Sequence, residues 1–358
     1  MKFLHTADLH LGAKSDNYSD ALSDKIAEGV FASFEYAIEY ARREGIGAII
    51  IAGDVFDSAS PNASVVQRFM HDIISNGDLV FFCVGGNHDG EDFPYTEKIP
   101  ENLLLFNNKW TYYSYDGVTV CGCRTERGKG LDYDRLKLDR GQFNVIVLHG
   151  QIADFTANAE SDLICLPRLK NKNINYLALG HIHSFATGEI DSRARFCYPG
   201  CVGGRGFDEI GEKGFVIVDT EATENPIKFV ASPKGVLFTE ERITLDKDRS
   251  FYQTVDEKIK EYSLKYNRPA VAKIITDGEY AEGKRADLPY LREKALGVFE
   301  YVKISDKSRL FVDEKAYASD KSVKGEFVRK VINSDLSPET KREVLACGIN
   351  AFTESKNR

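Results

Sequence analysis

An α/β fold is predicted for this chain by three observations. Short apolar runs alternate with amphipathic helical stretches through the first 220 residues. Five of those runs lead directly into Asp, Asn or His. Beyond His183 the alternation gives way to segments that read as hairpins. Repeated βαβ units followed by antiparallel strands predict two sheets packed together with helices outside.

The elements follow in order. Lys2-Phe3-Leu4 reads as a strand leading to Asp8 and His10. Residues Asp20 to Glu44 read as a helix, because Ile26, Val30, Phe34, Ala37, Ile38 and Ala41 recur at helical spacing. Gly45 and Gly47 end it before the apolar run Ala48 to Ala52 and its Gly53-Asp54. Ala63 to Asn76 reads as a second helix after Pro61. The run Leu79 to Val84 leads into Gly86-Asn87-His88-Asp89. Tyr112 to Cys123 reads as two strands turning at Asp116-Gly117, a hairpin signal. Val145 to Leu148 ends at His149, and Leu177 to Leu179 leads into Gly180-His181-Ile182-His183. Phe185 to Gly200 and Gly214 to Asp219 read as antiparallel strands.

A boundary is expected near residue 240, dividing a main domain (1–240) from a small α+β module (241–318). In that module Ser250 to Tyr266 and Arg285 to Leu296 read as helices, and Ala270 to Thr276 and Val298 to Ser305 as strands. Residues 319–358 read as a helix pair, Val323 to Asn333 and Pro338 to Phe352. Ser337 is placed to cap the second and Pro338 to open it.

At 358 residues the chain is long enough for two domains, one with a substantial core. A composition 42% hydrophobic and 28% charged is ordinary for a globular protein. No apolar stretch approaches the roughly 18 residues of a membrane span. No signal-peptide layout is visible, and the seven scattered Cys read as reduced thiols, so a cytoplasmic protein without a membrane partner is expected. The net charge of −8 does not favour nucleic acid.

The chemistry lies at the strand ends, where open α/β sheets place their sites. Asp8 and His10 are two residues apart in a segment read as extended, so both can point to one side. Asp54 can bridge two cations with its two carboxylate oxygens. Asn87 offers an amide oxygen, and His149, His181 and His183 offer imidazoles. Each fragment alone is a weak signal, and His71, in a predicted helix, reads as structural. Together, His10, His88, His149, His181 and His183 account for five of the seven His in the chain. The donor mixture, without thiolate, suits Mn²⁺, Fe²⁺, Zn²⁺ or Mg²⁺. Two divalent ions are expected, Mn²⁺ first among them. A pair roughly 3.5–4 Å apart stabilises both the attacking and the leaving oxygen of phosphoryl transfer. His88 is the candidate acid for the departing oxygen, and Arg205 a candidate phosphate contact.

The ordered set Asp8-Leu9-His10, Gly53-Asp54-Val55-Phe56-Asp57, Gly86-Asn87-His88-Asp89, His149 and Gly180-His181-Ile182-His183 resembles the calcineurin-like metallophosphoesterases. The resemblance implies a four-layer α/β/β/α sandwich. It also implies one metal site from Asp8, His10, Asp54 and His183, and a second from Asp54, Asn87, His149 and His181. A narrower resemblance lies in His5 to Gly12, Ala52 to Asp57, Tyr198-Pro199-Gly200, Gly204 to Phe207 and Gly211 to Gly214. These are similar to the SbcD-type DNA repair exonucleases, including their YhaO-like branch.

That resemblance implies DNA as substrate, a capping module, an SMC-like (SbcC-type) ATPase partner docking on the terminal helix pair, and room for a homodimer. Phe327, Val328, Val331, Ile332, Val344, Leu345, Ile349 and Phe352 are the expected docking face or, alternatively, the module's own packing. A stripe of Arg124, Arg127, Lys129, Arg135, Lys137 and Arg140 is the local basic feature against the acidic net charge, a weak one because Glu126, Asp132, Asp134 and Asp139 interrupt it. The alternative activity is a phosphatase or phosphodiesterase on nucleotides or other small phosphate esters.

Overall fold

In the computed structural model the described residues are 1–14, 17–96, 98–125, 130–153, 163–222 and 226–356, with side chains described to residue 352. They fall into two compact units, Met1–Leu237 and Phe238–Arg358.

The first unit runs β1 (Lys2–Thr6), α1 (Asp20–Arg43), β2 (Ala48–Ala52), α2 (Ala63–Ile74), β3 (Val80–Val84), β4 (Leu103–Phe106), β5 (Thr111–Tyr115), β6 (Val118–Gly122) and β7 (Phe143–His149). It continues with β8 (Gln151–Ala153), β9 (Leu163–Cys165), β10 (Tyr176–Gly180), β11 (Ala186–Glu189), β12 (Arg195–Tyr198), β13 (Gly214–Asp219) and β14 (Ile227–Ala231). One sheet has the order β14-β13-β1-β2-β3-β4, the other β11-β12-β10-β7-β6-β5. The inner strands of each are parallel. Their side chains are buried on both faces, as the unbroken apolar run of β2 requires.

The two sheets face each other across Phe3, Ile50, Phe82, Val120, Val145, Val147 and Ala178. α1 and α2 cover the outer face of the first sheet with Phe34, Ile38, Phe69 and Ile73. Ser19 caps α1 by accepting from the Leu22 amide, and Gly45, at φ 66°, ends it. The outer face of the second sheet is covered by Tyr133, Leu136, Leu166 and Leu169. These come from two short 3₁₀ turns and the loops beside them rather than from long helices.

Register places the site. Thr6 pairs with Ile51, Ala52 with Val84, and His149 with Gly180. The carboxyl ends of β1, β2 and β3 therefore line up in one sheet, and those of β7 and β10 in the other.

Phe238–Arg358 holds most of β15 (Leu237–Leu245), then α3 (Phe251–Lys265), β16 (Ala270–Tyr280), α4 (Leu288–Leu296), β17 (Tyr301–Asp306) and β18 (Arg309–Leu310). It closes with α5 (Glu314–Ala318), α6 (Val323–Ile332) and α7 (Pro338–Lys356). Val328, Val331, Leu345 and Ile349 are buried between α6 and α7, with Leu310, Val312 and Tyr317 packed against them. The apolar face of the helix pair is thus spent largely on its own unit. No helix among the described residues is long and apolar enough to cross a membrane.

Candidate metal centre

The loops after β1 and β2 continue side by side: the amide of Asp8 donates to Gly53 O (3.0 Å) and that of His10 to Asp54 O (2.9 Å). The Asp8–His10 segment is not extended, as the sequence suggests. Asp8 (φ 50°), His10 (φ 45°), Asp54 (φ 50°) and His181 (φ 99°) all have left-handed backbone. Each such residue costs about 1–3 kcal/mol unless its surroundings impose it, and such positions concentrate at functional sites. Two glycines make the close approach feasible. A Cβ on Gly53 (φ 92°) would overlap the His149 ring, and one on Gly86 would overlap the Asp54 carboxylate.

The structure brings Asp8, His10, Asp54, Asn87, His149, His181 and His183 together. Ligating atoms of Asp8, His10 and His183 lie within 4.8 Å of one another, as do those of Asp8, Asp54 and His149. His10 Nε2 lies 3.2 Å from His183 Nε2. His149 Nε2 lies 2.9 Å from Asn87 Oδ1, which is itself 3.2 Å from His181 Nδ1. Asp54 Oδ2 stands between the two groups, 3.6 Å from His10 Nε2 and 3.3 Å from His149 Nε2. Its Oδ1 accepts from the His88 amide at 2.8 Å. Both carboxylate oxygens of Asp54 thus lie within the cluster, Oδ2 toward the two imidazoles and Oδ1 toward the His88 amide.

The hydrogen bonds around the rings decide what these atoms can hold. His149 Nδ1 faces Ala52 O at 2.9 Å and must donate to it. Neutral His149 then turns a lone pair at Nε2 toward Asn87 Oδ1 and Asp54 Oδ2. His183 Nδ1 lies 2.8 Å from Glu209 Oε1, and His10 Nδ1 lies 3.2 Å from Asp57 Oδ1. The Glu209 carboxylate favours a proton on His183 Nδ1 and Asp57 lies close enough to favour one on His10 Nδ1, which makes no well-formed hydrogen bond; with both there, two Nε2 lone pairs oppose each other. Asp8 Oδ1 accepts from the His181 amide at 2.8 Å, while its buried Oδ2 has no hydrogen-bond partner. Facing lone pairs and an orphaned carboxylate oxygen repel unless a cation stands between them. The all-oxygen-and-imidazole set fits hard or borderline divalent ions.

Without a cation the same groups keep a proton among them instead. Burial pushes the Asp8 carboxyl up to about 6. Burial opposes the charge on His149, yet Asp54 and Asp8 outweigh it and hold this imidazole up at about 9. Burial also opposes ionisation of Asp54, but His149 and His10 hold its carboxyl well below the usual range.

Behind the ligands stands a clamp that the sequence reading missed. Glu209 is 1% exposed. Burial opposes its charge, but His183 and Arg205 prevail and hold its carboxyl down at about 2. Arg205 donates from Nε and Nη2 to Glu209 (3.1 and 2.5 Å) and from Nη1 to Asp57 Oδ1 (2.9 Å). Every guanidinium nitrogen is thus engaged by protein, at the residue where the sequence suggests a phosphate contact. The Arg205/Glu209 spacing of four was the one available signal. Lys213 Nζ donates to His183 O at 2.9 Å.

Asp89 belongs to the loop. Its carboxylate accepts from the amides of Val55, Phe56 and Gly86, tying the loops after β2 and β3 together. His5, bonded to Tyr176 (2.7 Å) and pushed down to about 3 by burial, belongs to the core. His88 is exposed, with Nδ1 3.0 Å from Asp57 O. That bond makes Nδ1 the donor and leaves Nε2 as the remaining ring nitrogen, with His10 and Asp57 close by. Of the basic stripe, Arg127 and Lys129 lie outside the described residues.

Buried Asp and His converging on one oxygen between two sheets define the class: a candidate metal-dependent phosphoester hydrolase. The chain belongs to the calcineurin-like phosphoesterases, whose family model matches residues 1–185. It is similar to the uncharacterized metallophosphoesterase YhaO of Bacillus subtilis (strain 168), 26% identical over 61% of this chain and 57% of that protein. It is also similar to the DNA double-strand break repair protein Mre11 of Methanococcus maripaludis, 24% identical over 61% of this chain and 63% of that one. The Mre11 of Sulfolobus acidocaldarius is 23% identical over 78% of this chain and 75% of its own length. The chain spans about three-fifths of the length of the first two relatives.

Proposed function

We propose that this protein is a dinuclear-metal phosphodiesterase that cuts DNA. The observation that carries the dinuclear reading is Asp54 Oδ2, set 3.6 Å from His10 Nε2 on one side and 3.3 Å from His149 Nε2 on the other. One ion would be held by Asp8, His10, Asp54 and His183, the other by Asp54, Asn87, His149 and His181. Mn²⁺ is the proposed metal. Bound there, the pair supplies Lewis acidity to a phosphate and lowers the pKa of water toward neutrality.

The chain's own residues do the rest. Glu209 and Asp57 hold the His183 and His10 rings so that Nε2 of each faces the centre. The Asp57 carbonyl holds His88 Nδ1–H, so the proton for the departing oxygen is carried at His88 Nε2. DNA is proposed as the substrate because the chain is similar to proteins named for double-strand break repair.

An SMC-like, SbcC-type ATPase is the proposed partner, with the α6–α7 pair as its seat. Since the apolar residues of that pair are buried in their own unit, the partner meets the outer, polar faces.

The test is Mn²⁺-dependent digestion of end-labelled linear double-stranded DNA by wild type and by His88→Ala. Digestion by wild type alone supports the reading. If DNA survives while a small phosphodiester is hydrolysed, the substrate is a small ester and the DNA assignment fails.

A further inference from the structure

Beside the loop that carries Asn87 and His88 lies a pocket of about 260 Å³ that the proposed chemistry does not use. Its walls include Lys109, Trp110, Tyr112, Arg124, Leu131 and Arg135. We propose that it is a stacking site for an unpaired nucleobase of a DNA strand entering the metal centre. The inference rests on the DNA reading above and adds to it a place for the base.

The lining carries the argument. Trp110 is the single tryptophan of the chain. Its indole Nε1 donates to Asp132 O at 2.8 Å, so the ring is fixed and its one polar handle is used. What it offers a ligand is aromatic surface. Tyr112 is 42% exposed, and its hydroxyl accepts from the Lys137 amide at 3.0 Å, which fixes that ring too. Two anchored aromatic rings among cations are what single-stranded nucleic acid binding uses. Bases stack on the rings whatever their sequence, and Lys and Arg meet the backbone phosphates.

Among the described lining residues two cations, Lys109 and Arg135, stand against one carboxylate, Asp132, while the Arg124 guanidinium is turned to backbone carbonyls. Arg135 pairs with Asp132 at 2.9 Å, but with side-chain exposures of 77% and 56% the pair is weakly held and can yield to a phosphate. The volume lies near the lower end of ligand pockets, roughly 300–1,000 Å³, which suits one base. The simpler explanation for Trp110 is packing on the outer core of the second sheet, which it does make. That contact leaves the exposure of Tyr112 and the surrounding cations unexplained.

The pocket is joined to the metal centre by Arg124. Its Nη2 donates to the carbonyls of Gly86 (3.5 Å), Asp89 and Gly90 (2.9 Å). The residue that walls the pocket is thus the one that holds the Asn87–His88 loop from beneath.

Because Trp110 is the only tryptophan, its fluorescence reports on this pocket alone. The experiment titrates the full chain, in EDTA so that nothing is cut, with a short oligothymidylate and with the same backbone made abasic. We expect saturable quenching of the emission by oligothymidylate, through stacking of a base on the indole, and much less by the abasic strand. Tyr112→Ala and Arg135→Glu, both at exposed positions, should each weaken the oligothymidylate affinity about tenfold. Quenching that is absent, equal for the abasic strand, or unchanged in both variants overturns the stacking site. The digestion assay on the same preparation separates the two readings: a protein that cuts DNA without quenching loses the pocket and keeps its function, and one that does neither loses both.

Discussion

Glu209 Oε1 lies 2.8 Å from His183 Nδ1, and the same carboxylate receives two nitrogens of Arg205. Through Nη1 that guanidinium also grips Asp57 Oδ1, 3.2 Å from His10 Nδ1. One arginine therefore holds two carboxylates, Glu209 bonded to the His183 imidazole and Asp57 lying against that of His10. The pair of Nε2 atoms left facing each other at 3.2 Å is the consequence. Such supporting partners fix the tautomer and raise the basicity of a ligating imidazole.

Glu209→Gln keeps the shape of this clamp and removes its charge. The affinity of the Asp8–His10–His183 group for a divalent ion should fall about tenfold or more. Calorimetric titration of metal-stripped protein with Mn²⁺ would read it as one weakened and one nearly unchanged event. Two unchanged events would reduce Glu209 to a structural ion pair.

His88 is held by its amide on Asp54 Oδ1 and by Nδ1 on the Asp57 carbonyl, yet its ring is exposed. A group placed so serves the substrate better than the ion. His88→Ala should retain the full metal complement and lose about 10²–10⁴ of turnover. Metal content by plasma emission and turnover on a phosphodiester would be measured together. Normal turnover removes His88 from the proton-transfer role, and lost metal makes it a ligand.

How much of this could be read in the sequence depends on how local each feature is. Asp8, His10, Asp54, Asn87, His149, His181 and His183 were legible because each sits within six residues past an apolar run. The Asp116-Gly117 hairpin was legible because both residues take positive φ (47° and 76°), as such turns require. Glu209 was not, since its role depends on His183 and Arg205 meeting it in space. The left-handed backbone at Asp8 and His10 was not either, because motif spacing carries no φ. β15 was hidden by the mixed polarity of its sequence, Phe238 buried beside exposed Glu240. β16 was cut short at Thr276 because Gly278 reads as a break. The strand runs through it to Tyr280, and a Cβ at Gly278 would overlap the Leu245 backbone.

Asp54 Oδ2 lies 3.6 Å from His10 Nε2 and 3.3 Å from His149 Nε2, and its partner Oδ1 accepts from the His88 amide. Asp54→Asn keeps one oxygen and loses the charge that the two sites share. Metal content should drop from about two ions per chain toward none, with loss of both sites together rather than one. A variant retaining one full equivalent would show that the sites do not share this residue.

Asp72 tests stability away from the site. It lies in the last turn of α2, where the helix dipole disfavours a negative charge. Its Oδ2 is buried without a hydrogen-bond partner. Burial first, then the nearby Glu35, push its carboxyl up to about 6 from 3.8. The folded state thus binds this proton more tightly than the unfolded chain does. Stability from that proton is complete below pH 3.8 and is lost as the pH rises through about 6. Removing the carboxylate should therefore help at pH 7 and help little at low pH. Asp72→Ala is expected to stabilise the first unit by about 1 kcal/mol at pH 7 once the half-exposure of the group is discounted. At pH 4 only the few tenths due to helix propensity should remain. Denaturant unfolding of wild type and variant at both pH values would measure the difference of differences. An equal gain at the two pH values would mean that the charge of Asp72 carries no penalty and that only its helix propensity is at work.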